Sequence, residues 1–581
     1  MLARTREGVA GPEGKWRSTR LLILCLLVIM LAPSVPPVFV RANPGTLHVP
    51  STQYPTIQSA VTAAVSGDSI IVASGTYAEN VLIDKSLTLT GAGNSSTFLD
   101  GQGIGPGVTV FTTSGVAISG FTIRNPGIFN SSVLVISSFQ VKVSQSVLVG
   151  SSKQSNGTTI YDSYAVTVAS TVETGNLYGV AVQGGFANVI QEDNASGNVI
   201  GVGIFNSTGN VVKLNTLRYG SEGVRIWYPG ATGNLVTRNL IANNSAAGIS
   251  MLSSSGNRII GNEVDFNNLL STTEGIYLSS STGNRIYYNN IRNNTLQVYA
   301  VYAGDMTGSV WNDSGTRPKG NFWSDYNGTD ADNDGIGDTN RPWPCFRASS
   351  VCSATRVTGV DQSPLMKPWT FSSLIITAAG QPVIGCPSVL NVTFTGSAQK
   401  GAPPYAYDWD FADGSRSAGQ SVSHVYSAKG TFFATLTVID SSATNGTDIV
   451  PIIVFAGGLF LTVTNGQASL SKANVTSVSQ PTGQPRFSQL TNANGIAALP
   501  CLAPGRYSIQ VSSSGYETRR TSFFIGNQTV DMLQILVRTS SGLPVVLLVV
   551  GGVAAAVVAL LTVLFVRARK RNRLARTGGA R

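Results

Sequence analysis

The feature that most limits what this chain can fold into is an asparagine that returns once per turn of a repeat. Thr208-Gly-Asn-Val-Val-Lys-Leu-Asn215 is followed by Thr232-Gly-Asn-Leu-Val-Thr-Arg-Asn239, Ser255-Gly-Asn-Arg-Ile-Ile-Gly-Asn262 and Thr282-Gly-Asn-Arg-Ile-Tyr-Tyr-Asn289. The leading residues Asn210, Asn234, Asn257 and Asn284 are 24, 23 and 27 apart, and Asn188 lies 22 earlier with Asp193 in the place of the second Asn. Upstream of each motif is a short apolar strand opened by glycine, as in Gly179-Val-Ala-Val, Gly223-Val-Arg-Ile, Gly248-Ile-Ser-Met and Gly275-Ile-Tyr-Leu. Another follows each motif, such as Leu240-Ile241, and closes on Asn243-Asn244 or its equivalents. A unit of this length with three strands of two to five residues predicts one turn of a right-handed parallel β-helix. No single turn can bury its inward Val/Ile row, but stacked turns share one apolar column. Asn suits each corner because it tolerates the left-handed backbone and its amide can bond the same amide one turn away. Leucine-rich repeats share the length but need a helix and a Leu pattern that are absent here. The open end of such a stack needs a cap. Residues 56–65 predict it as an amphipathic helix with Ile57, Ala60, Val61 and Ala64 on one side.

The order TIQSAV…GDSIIVASGTYAENVLIDKSLTLTGAG resembles the opening of the NosD-like and carbohydrate-binding branch of the pectin-lyase-like superfamily. The resemblance covers roughly residues 48–370. Gly320-Asn-Phe-Trp-Ser-Asp-Tyr326 and Asp361-Gln-Ser-Pro-Leu-Met366 resemble its terminal segments. It implies either polysaccharide binding or cleavage, or copper handling. Copper prefers imidazole and soft sulfur, yet the chain has two histidines, His48 and His424, and its six methionines are scattered or lie in the leader. The residues do not support a dedicated copper site.

Between those terminal segments lies Asp330-Ala-Asp332-Asn-Asp334-Gly335-Ile336-Gly337-Asp338. Carboxylates at positions 1, 3, 5 and 9, Gly at 6 and a backbone carbonyl at 7 (Ile336) suit the first part of a calcium loop. Position 12 is Arg341 rather than a bidentate Glu, so Asp361 or Asp325 would have to complete the shell. A solvated acidic turn is the alternative.

Two smaller modules follow. Tyr407-Asp-Trp409-Asp410-Phe411-Ala-Asp413-Gly414, His424-Val-Tyr426 and Gly430-Thr-Phe-Phe-Ala-Thr-Leu436-Thr-Val438-Ile-Asp440 alternate as a β-sandwich does, and the pattern resembles the PKD domain. His424 is expected to be structural. Thr491-Asn-Ala-Asn494-Gly495, Pro504-Gly505-Arg-Tyr507 and Gly515-Tyr516 are similar to the carboxypeptidase regulatory-like, or prealbumin-like, sandwich. Both read as spacers or adhesive modules. The expected order is therefore 1–42 signal peptide, 43–370 β-helix, 373–455 PKD domain, 456–540 second sandwich, 543–566 transmembrane helix and 567–581 basic tail. The fold class is mainly β.

Charge supports that order. The chain carries +10 formally. Residues 1–20 hold five basic and two acidic side chains and residues 567–581 seven basic and none acidic, leaving 27 of each sign on the residues between. A basic groove for nucleic acid is thus absent from the external part. Leu21–Leu31 is an eleven-residue apolar run suited to a signal core, with a tolerable cleavage site at Val40-Arg41-Ala42. Leu543–Val566 is 24 uncharged residues running into Arg567-Ala-Arg569-Lys570-Arg571, which predicts a single span with the basic tail inside. External placement permits glycosylation at thirteen Asn-X-Ser/Thr sequons. It also permits a small disulfide between Cys345 and Cys352; Cys386 and Cys501 either join neighbouring domains or stay free.

Candidate chemistry lies on the β-helix. Glu222 and Glu274 each precede a strand-opening Gly, in turns separated by one in which Ala247 holds the place. At two strand spacings they would be roughly 9.5 Å apart, at the limit for an inverting glycosidase pair. Glu263 and Asp265 form another nearby pair. Counting from the Gly, Arg225, Ser250 and Tyr277 face outward; Trp227-Tyr228 and Tyr287-Tyr288 add flat surfaces on which sugars stack. Arg258 and Arg285 share one register and would suit an acidic sugar. All of these also read as ordinary solvated surface. No catalytic residue is assigned, and no dinucleotide fingerprint is present. The expectation is a membrane-anchored cell-surface protein that binds glycans or neighbouring surface proteins. A surface polysaccharide hydrolase or lyase is the alternative, and a NosD-like copper-handling accessory the second alternative.

Overall fold

The computed structural model describes residues 43–539, apart from 152, 268–272, 302–307, 314–316, 341–360, 371–373, 387–389, 455–456, 481–485, 500, 503–504 and 526–529. The expected signal peptide, transmembrane span and basic tail lie outside the described residues, as do Cys345, Cys352 and Arg341. Among the described residues no helix is long and apolar enough to cross a membrane.

Parallel pairing dominates the first three hundred residues because each turn repeats the apolar alternation of the one before. One face is an eleven-stranded sheet from Thr46–Val49 to Arg285–Tyr287, and a second is ten-stranded from Val81–Ile83 to Leu296–Ala300. The third face consists of two five-stranded sheets, and between them only the bridges from Val172 to Asn194 and from Asn194 to Thr216 continue the ladder. Strands of the ten-stranded sheet reach six residues, one more than expected. Pairing there includes both the residue before the glycine and the outward residue that ends the strand.

Inward positions are the repeat's energetic reason. Val180, Val202, Val224, Ile249 and Ile276 are directly opposite one another in successive turns and fully buried. Leu217, Ile241, Val264 and Ile291 do the same on the third face. Each such side chain contributes about 1.5–3 kcal/mol relative to exposure. Glycine opens the long strands because the turns approach closely there: a Cβ on Gly223 would stand 2.7 Å from the Gly248 carbonyl and collide with Ile241.

The asparagines form hydrogen-bonded ladders, as the spacing predicts. Along Asn188, Asn210, Asn234, Asn257 and Asn284, each side-chain oxygen accepts from the backbone N–H and the amide of the preceding rung. A second ladder runs from Asp193 through Asn215, Asn239, Asn262, Asn289 and Asn321. It ends on the buried Asp361, which accepts from the Asn321 N–H at 2.8 Å, the Trp323 indole at 2.8 Å and the Ser363 N–H at 3.1 Å. The N-terminal cap is the helix Ile57–Ala63, opened by a Thr56/Ser59 capping box. The Glu79 carboxylate accepts from the Ile57 and Gln58 N–H groups at 2.9 Å each, adding negative charge where the helix dipole favours it.

Two β-sandwiches follow. The first pairs a three-stranded and a five-stranded sheet around Phe394, Trp409, Phe411 and Tyr426. In it His424 stacks on Phe411 at 4.1 Å and bonds Asp413 at 2.7 Å, a structural arrangement as expected. The second packs Leu461, Tyr507 and Ile509 between a three-stranded and a four-stranded sheet. Cys386 and Cys501 form a disulfide with Cα atoms 6.2 Å apart, so of the two alternatives for them the inter-domain link holds. The first sandwich is more than a spacer. Phe433 packs with Val211 and Leu235 on the outer side of the eleven-stranded sheet, and Lys213 pairs with Asp448 at 2.9 Å. Arg506 of the second sandwich bonds Thr112 of an early turn at 3.3 Å. Both sandwiches therefore lie along the solenoid.

Candidate functional site

The outer face of the ten-stranded sheet gathers charged, hydroxyl and aromatic side chains in neighbouring columns. Strand register places Tyr178, Ile200, Glu222, Ala247, Glu274 and Leu296 in one column. Ala181, Gly203, Arg225, Ser250, Tyr277 and Tyr299 make the next, and Phe205 and Trp227 stand in a third. Small residues thus form a floor, and aromatic or charged side chains rise beside it.

Arg225 is the hub. Its Nε donates to Glu222 at 2.8 Å, its Nη2 makes a second bond to the same carboxylate, and its guanidinium lies 5.8 Å over the Trp227 ring. Burial pushes the nearby Tyr178 phenol above its ordinary value. Ser250 donates to Glu222 and is buried beneath these neighbours. The expectation of outward residues therefore holds in direction but not in exposure: Ser250 and Glu222 are buried on the outer face, and Arg225 is half-buried. Glu274 stands two turns from Glu222 with Ala247 between them, as the count predicts. Burial first, and the charge of Glu222 second, push its carboxyl up to about 7. Trp227 and Tyr228 stack in parallel at 4.7 Å, with Tyr228 in the left-handed backbone region at φ 78°. Tyr277 stacks on Tyr299 at 5.8 Å, and Phe205 meets Tyr178 edge-on at 5.3 Å.

Tyr178, Phe205 and Tyr299 did not figure among the sequence-level candidates. A signal existed, since Phe205 lies 22 residues before Trp227 and pairs with it in register.

The remaining candidates lie elsewhere. Arg258 and Arg285 do pair in register, but on the eleven-stranded sheet. There Arg258 lies 5.5 Å over Phe433 of the first sandwich, so it serves an internal junction and is not a free anion ligand. Arg285 stands 5.8 Å over Tyr287, and Tyr288 is stacked on Trp369 at 4.0 Å and bonded to Asp313. Glu263 and Asp265 belong to the third face. There Arg292 pairs with both, at 3.2 and 3.0 Å, which makes a structural ion cluster of them.

Oxygens of Asp330, Asp332 and Asp334 lie within 4.8 Å of one another. Asp330 accepts from the N–H groups of Asp334 and Gly335, both at 3.0 Å, and Asn333 and Gly335 take positive φ to make the turn. Asp338 accepts from the Ala331 N–H at 2.6 Å and stands outside the group of three, while Ile336 bridges to Leu365. Asp361 does not complete this shell, because it is committed to the end of the asparagine ladder, where burial raises its carboxyl's affinity for protons.

One buried group escaped the sequence reading. Glu173 points inward from Val172–Thr174 and is fully buried. Thr171 donates to it and, at 2.7 Å, to Asp193. Burial raises both carboxyls, and Asp193 reaches about 7.

Residues 63–328 match the family model described as periplasmic copper-binding protein (NosD). Residues 375–454 match the PKD domain and residues 459–537 the carboxypeptidase regulatory-like domain. The fold is the parallel β-helix of the pectin-lyase-like type. No curated protein matches the chain. Among solved structures, the A-module of Azotobacter vinelandii mannuronan C-5 epimerase AlgE6 is 17% identical, with 44% of this chain and 86% of that one covered at a TM-score of 0.31. Alginate lyase from Paenibacillus sp. str. FPU-7 is 16% identical over 46% and 95%, at 0.27. Bacteriophage CBA120 tailspike protein 2 is 12% identical over 83% and 77%, at 0.34.

The copper in the family description does not fit this chain's described residues. His48 is exposed on the first strand, His424 is bonded to Asp413 in another domain, Cys386 and Cys501 are joined, and Met251 is buried in the core. Copper's imidazole and sulfur donors are nowhere gathered among them.

Proposed function

We propose that this chain, whose residues 63–328 are a NosD-type β-helix, is a membrane-anchored surface protein that holds carbohydrate along the outer face of its ten-stranded sheet. The observation that carries this reading is the file of aromatic and hydrogen-bonding side chains across consecutive turns, from Tyr178 and Phe205 through Arg225 and Trp227 to Tyr277 and Tyr299. Flat rings offer stacking surfaces to sugar CH groups, and the carboxyl and hydroxyl groups beside them offer partners to sugar hydroxyls. A regular solenoid repeats such contacts at the strand spacing, which suits an extended polymer. The anchor is the apolar stretch Leu543–Val566 with its basic tail. The test of binding is retention of the full chain in detergent on immobilised polysaccharides, with Trp227→Ala and Tyr277→Ala as controls. Capture of a neighbouring surface protein with no retention on any glycan would move the reading to protein adhesion. The test of anchoring is extraction: the protein should leave the membrane with detergent and stay through alkaline carbonate.

A hydrolase reading has one observation of its own. Glu274 keeps a proton near neutrality while Glu222, two turns away, is held as the partner of Arg225. Two strand spacings, about 9.5 Å, are at the upper end of an inverting acid–base pair. New reducing ends that vanish in Glu274→Gln would establish it. We further propose that calcium is held by Asp330, Asp332 and Asp334, with the Ile336 carbonyl and Asp338 as further donors, closing the end of the solenoid. Calorimetric titration should give heat with the wild-type chain and none with Asp332→Asn; no heat at millimolar calcium would end this proposal.

A further inference from the structure

We infer that the polymer held on this face is an uncharged polysaccharide and that polyuronates, sulfated glycans and phosphorylated glycans are excluded. The inference rests on the binding reading and goes further by naming the substrate class. It follows from a census of the face. Across all ten strands of the sheet, Arg225 is the sole lysine or arginine, and Glu222 and Glu274 are the sole carboxyls. That one cation is already engaged by both oxygens of Glu222 and lies over the Trp227 ring, leaving no free positive charge on these ten strands to meet an anionic sugar. Removing a carboxylate or sulfate from water without a paired cation is costly. The six strands from Tyr178–Gln183 to Leu296–Ala300 extend about 24 Å at the usual strand spacing, long enough to meet several charged sugars in succession. Neutral hydroxyls face no such penalty, because the half-buried Glu274 offers an acceptor and the tyrosines offer both roles. The eleven-stranded sheet is the internal contrast. Lys213, Arg258 and Arg285 project from its outer side, and the first of these is paired with Asp448 while the second lies against Phe433.

Affinity electrophoresis of the full chain in detergent tests the inference, through gels containing neutral glucans, mannans or galactans on one side and polygalacturonate, alginate or a sulfated galactan on the other. At least one neutral polymer should retard the protein at concentrations tenfold or more below those needed with any acidic polymer. Stronger retardation by an acidic polymer, weakening with salt, would overturn the inference and leave the binding reading intact. Retardation by no polymer of either class would overturn both. Trp227→Ala should weaken retention on the neutral polymer about tenfold, and unchanged retention would place the site elsewhere and sink the inference. The double variant Gln183→Lys/Ser279→Lys adds two cations to the outer face without touching the Glu222–Arg225 pair. It should gain salt-sensitive retention on polygalacturonate, and no gain would show that missing positive charge is not what excludes acidic chains.

Discussion

The two large sheets of the solenoid come from the same repeat and the same alternation, yet their outer faces have opposite fates. The eleven-stranded face is partly covered. Val211 and Leu235 are buried under Phe433, and Lys213 and Asp448 pair with only 12% and 11% of their side chains exposed. The ten-stranded face carries equally large residues, but its polar groups satisfy one another and its aromatic rings stack among themselves. Inward positions are apolar on both faces with few exceptions, Asp68 and Thr158 among them. Outward positions are free to diverge, so one sheet became an internal junction and the other remained available to a ligand.

The largest expected effect is on the covered face. Asp448→Ala leaves Lys213 buried without its partner and deprives the Ala378 N–H of its acceptor. It should cost about 3 kcal/mol, read from guanidinium unfolding followed by the fluorescence of Trp409. A loss under about 0.5 kcal/mol would mean the pair does not hold the sandwich to the solenoid. Glycan retention should be unchanged.

The interior that both faces share supplies the next test. Glu173 and Asp193 have folded-state affinities for protons raised by burial, Asp193 to about 7. The neutral form is therefore the one the fold accommodates. The stability it brings is complete below the unfolded carboxyl range near 4 and is lost as pH rises through 7. Between those two values unfolding should become easier by about 1.4 kcal/mol per pH unit for each proton involved. Denaturant midpoints of Glu173→Gln/Asp193→Asn should be flat over the same range. A wild-type midpoint that does not fall between pH 5 and 7 would contradict this.

On the open face Trp227→Ala should do the reverse of Asp448→Ala. Ligand retention should fall about tenfold, or about 1.4 kcal/mol, with unfolding changed far less. The smallest effect is expected from Arg258→Ala, which removes a cation–π contact with Phe433 worth about 0.5–1 kcal/mol. It should shift stability slightly and leave glycan retention untouched. Loss of retention in this variant would erase the distinction between the faces.

Much of this was legible before the structure, because the repeat is local and periodic. The Gly-opened strands, the inward Val/Ile rows, the asparagine ladders and the helix Ile57–Ala63 follow from spacing alone. The separation of Glu222 and Glu274 by Ala247 follows in the same way. Glu173 was not legible. A lone Glu between Val172 and Thr174 reads as surface, and only the stacking of turns turns its side chain inward. Arg258 and Arg285 were correctly paired, yet no local pattern says that Phe433, 175 residues beyond Arg258, covers one of them. Asp361 looked like a spare calcium ligand because sequence proximity to the acidic loop suggested it. In the fold it is the last rung of a ladder that began at Asp193.

The sequence by itself determined the repeat, the inward and outward positions of the Gly-opened strands, and the three domain types, since these depend on alternation and short motifs a few residues long. Only the tertiary structure decided which outer face is covered, that Cys386 meets Cys501, and that Arg225 is neutralised by Glu222 at the centre of the open face. Those outcomes depend on groups brought together across turns or domains, where burial and the pairing of charge act on distances that no local spacing encodes.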